Sequence, residues 1–309
     1  MKLQTPVETG RLARGFGYAD RILFLGSCFA DNVGSCCSDI FLDTLVNPFG
    51  VLYNPLSVAD SLNILEGDGL FSPADVLSTP VGFCSLHHHT SFARPSVSEF
   101  IGNANAALAA ARDFHKRAGW TVVTFGTSFV YRHIASGTVA ANCLKLPRQE
   151  FERLMLTPEQ VFEALAPHVG ADTSRQWIFT VSPIRHVADG MHANQASKSV
   201  LHLGVDTIVK TFPNAHYFPA YEIVMDELRD YRFYADDMVH PSLQTVRYVF
   251  ERFMDYALDS NETERYGQAV QLSRMKHHTP LFPGSQQADE FGRRLEESVS
   301  QFLSSLGRV

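Results

Sequence analysis

The sequence predicts an α/β fold with three layers, in which helices cover both faces of a mainly parallel β-sheet. Short apolar runs of the kind that form buried strands occur at 21–25, 41–46, 120–125, 177–181 and 215–218. Segments with helical character alternate with them, at 29–40, 55–67, 103–118, from 157 onward, 190–212 and 241–258. This alternation is typical of parallel sheets, because a crossover between parallel strands needs a connection about as long as a helix.

Local signals justify the individual elements. The first strand, 21–25, is a short apolar run that ends in Gly26-Ser27, as a buried strand before a tight turn does. Asn47-Pro48-Phe49-Gly50 closes the second, and 55–67 carries leucines at helical spacing. The alanine-rich 103–118 favours a helix, whereas 68–95 is rich in loop residues. Further along, Thr157-Pro158 supplies a helix cap and a first-turn proline.

The chain is predicted to divide near residue 260. Residues 1–260 form one domain, with a helical insertion at about 55–118, and 261–309 form a C-terminal linker and helix. Apolar residues recur at helical spacing over 290–306, so this helix either caps the body or packs on a second copy of the chain. Packing on the body is the simpler interpretation, and self-association through the helix stays open.

Composition narrows the function classes. The net charge is -7, so no basic surface favours nucleic acid as a partner. No apolar run is long enough to span a membrane, and 1–20 lacks the apolar core of a secretory signal. The five cysteines are odd in number and lack paired spacing, which favours a reducing, cytoplasmic location.

Polar residues follow the predicted strands where functional groups gather in such sheets, at their carboxyl ends. Gly26-Ser27-Cys28 would lift a nucleophile out of the sheet at the start of a helix, whose free N–H groups can hold an oxyanion. Near the other end of the chain, Asp237 and His240 lie three residues apart on a loop, where the carboxylate can orient the imidazole as a general base.

These segments together resemble the SGNH/GDSL hydrolase superfamily, in which Gly-Asp-Ser follows the first strand and Asp-x-x-His precedes the last helix. The block Gly26-Ser27-Cys28-Phe29-Ala30 is similar to the GSCFA family, a branch of that superfamily. The similarity extends over roughly residues 15 to 258 and includes further segments, at 47–55, 141–143, 182–186 and 217–222.

The resemblance implies a flavodoxin-like sheet of the SGNH type and acyl transfer on an ester, with no cofactor and no metal. Water as acceptor gives an esterase, and an alcohol or amine gives an acyltransferase. Carbohydrate O-acetyl esters are familiar substrates of the superfamily. An ungapped match places Cys28 at the nucleophile position, and a shift of one residue would place Ser27 there. A cysteine beside a histidine at a helix start is a competent nucleophile.

The same resemblance implies the oxyanion donors. The superfamily's glycine matches Gly50, whose N–H would donate, and its Gly-x-Asn block matches Gly126-Thr127-Ser128, so asparagine is missing. Ser128 or Asn142 would have to replace it. Loss of one such donor costs about 2.7–4 kcal/mol of transition-state stabilisation, which raises the alternative of a binding or accessory module that keeps the fold without efficient catalysis.

Four more residues are candidates for substrate contact, each with a structural alternative: Arg185, His186, His89 and Glu222. Arg185 would pair with a carboxylate or phosphate on the substrate or with an acid of the chain. His87-His88-His89 suggests a metal site, but consecutive residues on an extended chain point to opposite sides. Histidines that anchor a loop are therefore expected, with His89 nearest the pocket.

Overall fold

A computed structural model describes residues 4–278, 282 and 284–308. Its strands are β1 (Arg21–Gly26), β2 (Asp43–Val46), β3 (Leu77–Thr79), β4 (Gly82–Cys84), β5 (Trp120–Phe125), β6 (Phe129–His133), β7 (Phe151–Met155), β8 (Gln176–Val181) and β9 (Ala215–Tyr217). The central sheet has the order β2-β1-β5-β8-β9, and each neighbouring pair in it is parallel. This is the flavodoxin-like order, which confirms the predicted fold class.

Helices cover both faces of this sheet. They are α1 (Cys28–Asp39), α2 (Pro55–Glu66), α3 (Val97–Arg117), α4 (Pro158–Ala171), α5 (Met191–Thr211), α6 (Ala220–Glu222), α7 (Leu243–Ala257), α8 (Thr263–Lys276) and α9 (Gln286–Ser305). Successive residues of β1 point to opposite faces, so Leu23 packs with α2 to α5 while Phe24 packs with α1 and α7. The two cores on either side of the sheet make the three layers.

The segment 55–118 differs from the expected helical insertion. It carries the antiparallel pair β3–β4 between its two helices, and α3 begins at Val97 because Ser96 accepts a hydrogen bond from the Glu99 N–H at 3.2 Å. A second unpredicted pair, β6–β7, follows β5. Both antiparallel pairs have short strands, which give little alternation in the sequence.

The C-terminal segment is more helical than the predicted linker. Helix α8 occupies part of it, with only Ala269 buried, so its sequence lacks the apolar stripe that predicts a helix. The predicted linker residues Thr279, Pro280 and Pro283 lie outside the described residues. Helix α9 confirms the amphipathic helix, and its Phe302 ring packs 5.6 Å from the rings of both Tyr18 and Phe41.

The helix therefore caps its own chain. Arg308 reinforces the contact by donating to the carbonyls of Tyr18 and Phe41. Among the residues described, no helix is both long and apolar enough to cross a bilayer.

Candidate active site

The turn after β1 depends on a glycine. Gly26 has φ 131°, and a Cβ there would lie 2.1 Å from the Thr124 carbonyl oxygen on the adjacent strand. The Gly26 N–H donates to Asn47 Oδ1 at 2.8 Å, and the Ser27 N–H donates to the Thr124 carbonyl at 2.9 Å. Contacts to β5 and to the segment after β2 thus fix the turn, which starts α1 at the carboxyl edge of the sheet.

Ser27 and Cys28 have different surroundings. Ser27 is 2% exposed and caps α1, with its hydroxyl oxygen accepting from the Phe29 N–H at 3.3 Å. Cys28 is the first residue of α1 and is half-buried, with its Sγ 3.7 Å from the hydroxyl of Tyr53. The serine hydroxyl is therefore engaged in the helix cap, whereas the cysteine thiol meets a neighbouring side chain.

Tyr53 is a site residue that the sequence did not single out. Its backbone carbonyl accepts from the N–H groups of Gly126 at 2.8 Å and Thr127 at 2.9 Å, so the end of β5 holds it in place. Burial is the main cause that raises the pKa of the Tyr53 hydroxyl above its usual range, and the nearby Cys28 raises it further. The hydroxyl stays protonated and can donate a hydrogen bond beside the Cys28 sulfur.

The predicted Asp237–His240 pair forms within its own loop. Asp237 Oδ2 lies 2.6 Å from His240 Nδ1, and Oδ1 accepts from the N–H groups of Val239 at 2.8 Å and His240 at 2.9 Å. These hydrogen bonds lower the pKa of Asp237 to about 2, and the bond from the His240 backbone N–H has the largest effect, followed by the bond from the ring. The pair is open to solvent, because the His240 and Asp237 side chains are 46% and 50% exposed.

One cleft of about 690 Å³ is lined by both halves of the predicted machinery, Cys28 and His240. It opens at the carboxyl edge of β1, β5 and β8. In the part of the chain that the structure describes, no hydrogen bond joins the His240 ring to Cys28 or Ser27. The cleft also contains Tyr53, Asn142, Arg185, His186 and His89.

Two of the three predicted oxyanion donors lie outside this cleft. The Gly50 N–H donates to the Asn47 carbonyl at 2.7 Å, so it is engaged within its own turn. A Cβ at Gly50 would lie 2.4 Å from His89 Cβ, and the glycine thus allows the two segments to approach. Ser128 is fully buried, and both its N–H and its hydroxyl donate to Ser197 Oγ, at 2.7 and 3.1 Å.

Asn142 is one of the residues that line the cleft. Its Oδ1 accepts from the Leu144 N–H at 2.9 Å and the Thr90 hydroxyl at 3.3 Å, which holds its amide in one orientation. The amide can therefore present a fixed donor.

His186 and His89 line the cleft, and Glu222 does not. A Cβ at Gly126 would lie 3.3 Å from His186 Nε2 and 3.4 Å from Ser27 Cβ, so the imidazole lies beside the Gly26-Ser27-Cys28 turn. Burial, then the charge of Lys198 and the proximity of His240, lowers the pKa of His186 to about 4. Glu222 accepts from the Tyr217 hydroxyl at 2.8 Å and is not among the residues that line the cleft.

The remaining histidines of the His87-His88-His89 run anchor their loop. His87 Nδ1 lies 2.5 Å from Asp60 Oδ2, and His88 is buried with Nδ1 2.7 Å from the Ser85 hydroxyl. Among the described residues, no group of three or more His, Cys, Asp or Glu side chains is placed to hold a metal ion.

Lys198 lies beneath the cleft and was also missed. It is fully buried on α5, and its Nζ donates to the carbonyls of Gly126 at 2.6 Å and Ser182 at 2.7 Å, just after β5 and β8. Burial lowers the pKa of Lys198 to about 7. The signal was present in the sequence, since Lys198 shares the buried stripe of α5 with Leu201 and Val205.

Comparisons with known proteins identify the family to which the chain belongs. No curated protein matches the chain. Among solved structures it is similar to an acetyl xylan esterase (Est2A) from the rumen bacterium Butyrivibrio proteoclasticus, at 10% identity and a TM-score of 0.35. The similarity covers 77% of this chain and 63% of that one, so the chain spans less than two thirds of that enzyme's length. The model of the GSCFA family matches residues 21–253, and the chain belongs to the GSCFA family.

Proposed function

We propose that this protein is an esterase or acyltransferase that uses Cys28 as its nucleophile. The observation that carries the proposal is the shared cleft, where the Cys28 thiol at the start of α1 faces the same space as a histidine oriented by a carboxylate. Cavities of a few hundred Å³ with a few convergent polar groups are typical of small-molecule sites. We assign residues 1–260 to the catalytic unit and leave self-association through α9 as an expectation.

In the proposed reaction, His240 accepts the proton of the Cys28 thiol as the sulfur attacks the ester carbonyl. The tetrahedral intermediate then expels the alcohol, which takes that proton from His240, and a thioester remains on Cys28. Water, or another alcohol or an amine, attacks the thioester with His240 again accepting the proton, and the thiol is restored. Asp237 orients the ring and stabilises its charged form.

The oxyanion needs donors other than Gly50 and Ser128. The N–H of Cys28 lies in the first turn of α1, where backbone N–H groups have no partner within the helix. The Tyr53 hydroxyl beside the sulfur and the Asn142 amide across the cleft are the side chains best placed to assist. Each such donor contributes about 2.7–4 kcal/mol in other acyl-transfer enzymes.

The proposal requires the His240 ring to approach Cys28 when substrate binds. Residue Met238 of its loop has φ 57°, and the Ala235 N–H donates to the His240 carbonyl at 2.7 Å, so the loop is a compact unit on the surface. Catalytic hydrogen bonds are often long before substrate binds and shorten in the complex.

Labelling tests the nucleophile. Iodoacetamide should alkylate Cys28 faster than Cys143, the other half-buried cysteine of the cleft. Para-nitrophenyl acetate should release one equivalent of nitrophenol in a burst from the wild type. The burst should be lost in Cys28→Ala and retained in Cys143→Ala. A His240→Gln variant should lose at least tenfold in both the alkylation rate of Cys28 and the burst rate.

An accessory binding protein is the second candidate, and the absence of a hydrogen bond between the His240 ring and Cys28 favours it. In that case the alkylation of Cys28 would not depend on His240, and no burst would appear. A fluorophosphonate that labels Ser27 rather than Cys28 would also contradict the cysteine mechanism while keeping the chain an enzyme.

A further inference from the structure

We propose that the cleft binds an acyl substrate that carries an anionic oxygen group, a carboxylate or a phosphate, and that Arg185 binds this group. The inference rests on the proposed function in taking the substrate to be an acyl ester. The anion site itself rests on the charges of the cleft.

The lining of the cleft has two cationic side chains and one carboxylate, in a protein whose net charge is negative. Arg185 and Lys145 line it, and the carboxylate in its lining is Asp189. Arg153 neutralises that carboxylate, since its guanidinium lies 2.5 Å from Asp189 Oδ1. Two cationic side chains thus face a cavity where a ligand of opposite charge would neutralise them. The net charge of -7 makes such a local excess unlike the rest of the protein.

Arg185 has fewer polar partners than the other half-buried arginines that the structure describes. Arg21, Arg153 and Arg252 each pair with a carboxylate within 3 Å. The remaining ones donate to backbone carbonyls, namely Arg94, Arg112, Arg175 and Arg308. Among the described residues, Arg185 forms no ion pair within 4 Å. The hydrogen bond of its side chain is a weak one, from Nη1 to the Tyr231 hydroxyl at 3.4 Å. Guanidinium groups with unmet donors favour the bidentate recognition of carboxylate or phosphate.

The surroundings of Arg185 fix its position. Its guanidinium carbon lies 5.2 Å from the ring centre of Tyr231 and 5.0 Å from that of Tyr234, so aromatic faces lie beside the cation. Its backbone N–H donates to the Val239 carbonyl at 3.3 Å, next to His240. A bound anion would therefore be held beside the loop that carries the proposed base, which places the substrate for reaction.

Two acids lie near Arg185 outside the cleft. Asp226 and Asp230 line a neighbouring cavity, which shares Arg185 with the cleft. Asp230 pairs with Arg232 at 3.3 Å, and Asp226 is exposed. Neither carboxylate lies within 4 Å of the Arg185 guanidinium nitrogens, so neither forms an ion pair with Arg185.

Two matched esters test the inference in catalysis. Mono-para-nitrophenyl succinate and para-nitrophenyl butyrate have acyl chains of equal length and differ in the terminal carboxylate. The wild type should prefer the succinyl ester by roughly ten- to hundredfold in kcat/KM, as one charged hydrogen bond allows. Arg185→Met should abolish the preference and Arg185→Lys should keep part of it. Arg117→Met, at an exposed arginine that ends α3 outside both cavities, should leave it unchanged.

Calorimetry separates the anion site from the reaction. Inorganic phosphate and succinate are each titrated into the wild type and Arg185→Met, with thermal unfolding as the check that the variant is folded. If either anion binds the wild type and Arg185→Met weakens that binding at least tenfold, the site is supported even if neither ester is hydrolysed. The anion that binds more tightly then identifies the group. Hydrolysis with no ester preference, or no binding of either anion to the wild type, overturns the inference and leaves the proposed function standing.

Discussion

Replacing Lys198 by methionine removes a fully buried cation from beneath the cleft while nearly keeping the volume of the side chain. The pKa of Lys198 is lowered from 10.5 to about 7 in the folded protein. Below about pH 7 both the folded and the unfolded chain carry the proton. Between about pH 7 and 10.5 the unfolded chain binds one proton more, so the folded state gains stability as pH rises.

The magnitude follows from that shift. One proton of difference changes the free energy of unfolding by about 1.4 kcal/mol per pH unit. Because Lys198 in the folded protein is still half protonated at pH 7, the change between pH 7 and pH 9 is about 2 kcal/mol. Methionine cannot titrate, so this pH-dependent part is absent from the variant. The variant also leaves two buried carbonyls, those of Gly126 and Ser182, without their donor, at a cost of about 1–3 kcal/mol each.

The assay is urea unfolding followed by the fluorescence of the buried Trp120 and Trp177. The free energy of unfolding of the wild type minus that of Lys198→Met should rise by about 2 kcal/mol from pH 7 to pH 9. Lys210→Met on the same helix is the control, because Lys210 is 73% exposed and its pair with Asp206 contributes at most about 1 kcal/mol. A difference that stays constant with pH would show that the two carbonyls hold Lys198 as an ammonium, and it would refute the reasoning.

Two further substitutions test the site and the turn. Asp237→Asn should lower kcat by about 10²–10⁴-fold because the ring of His240 loses its oriented partner, while thermal unfolding shifts little because the side chain is half exposed; an unchanged kcat would remove Asp237 from the mechanism. Gly26→Ala should destabilise the fold by more than about 4 kcal/mol in urea unfolding, since its Cβ would lie 2.1 Å from the Thr124 carbonyl oxygen at φ 131°. The matched Gly102→Ala, in open space on α3, should instead stabilise by about 0.5–1 kcal/mol, and similar effects at the two positions would contradict the turn argument.

The elements that were predicted well are those with strong local signals. Strands β1, β5 and β8 are predominantly apolar because helices cover both faces of the sheet, and such runs are recognised from the sequence. The antiparallel pairs β3–β4 and β6–β7 and helix α8 carry no comparable pattern, since their side chains are only partly buried. Their formation depends on partners elsewhere in the chain.

The predicted site residues divide in the same way, into those with a local signal and those whose contacts come from distant segments. Asp237 and His240 are three residues apart, so their loop brings the carboxylate to the ring without help from distant segments. Gly50 and Ser128 were placed by a resemblance of motifs, and the structure directs their N–H groups to Asn47 and Ser197 instead. A donor's availability depends on what else accepts from it, which a motif does not record.

The sequence alone predicts the alternation of strands and helices, the glycine at the turn before α1 and the spacing of Asp237 and His240, because each of these signals lies within a short stretch of the chain. The folded chain is needed to place Tyr53 beside Cys28, to join the ends of β5 and β8 through Lys198, and to bring Arg185 to the cleft with no carboxylate partner among the described residues. Lys198, for example, contacts Ser182 across 16 positions of the chain and Gly126 across 72. Such contacts arise from how strands and helices pack, and hydrophobic periodicity carries no information about them.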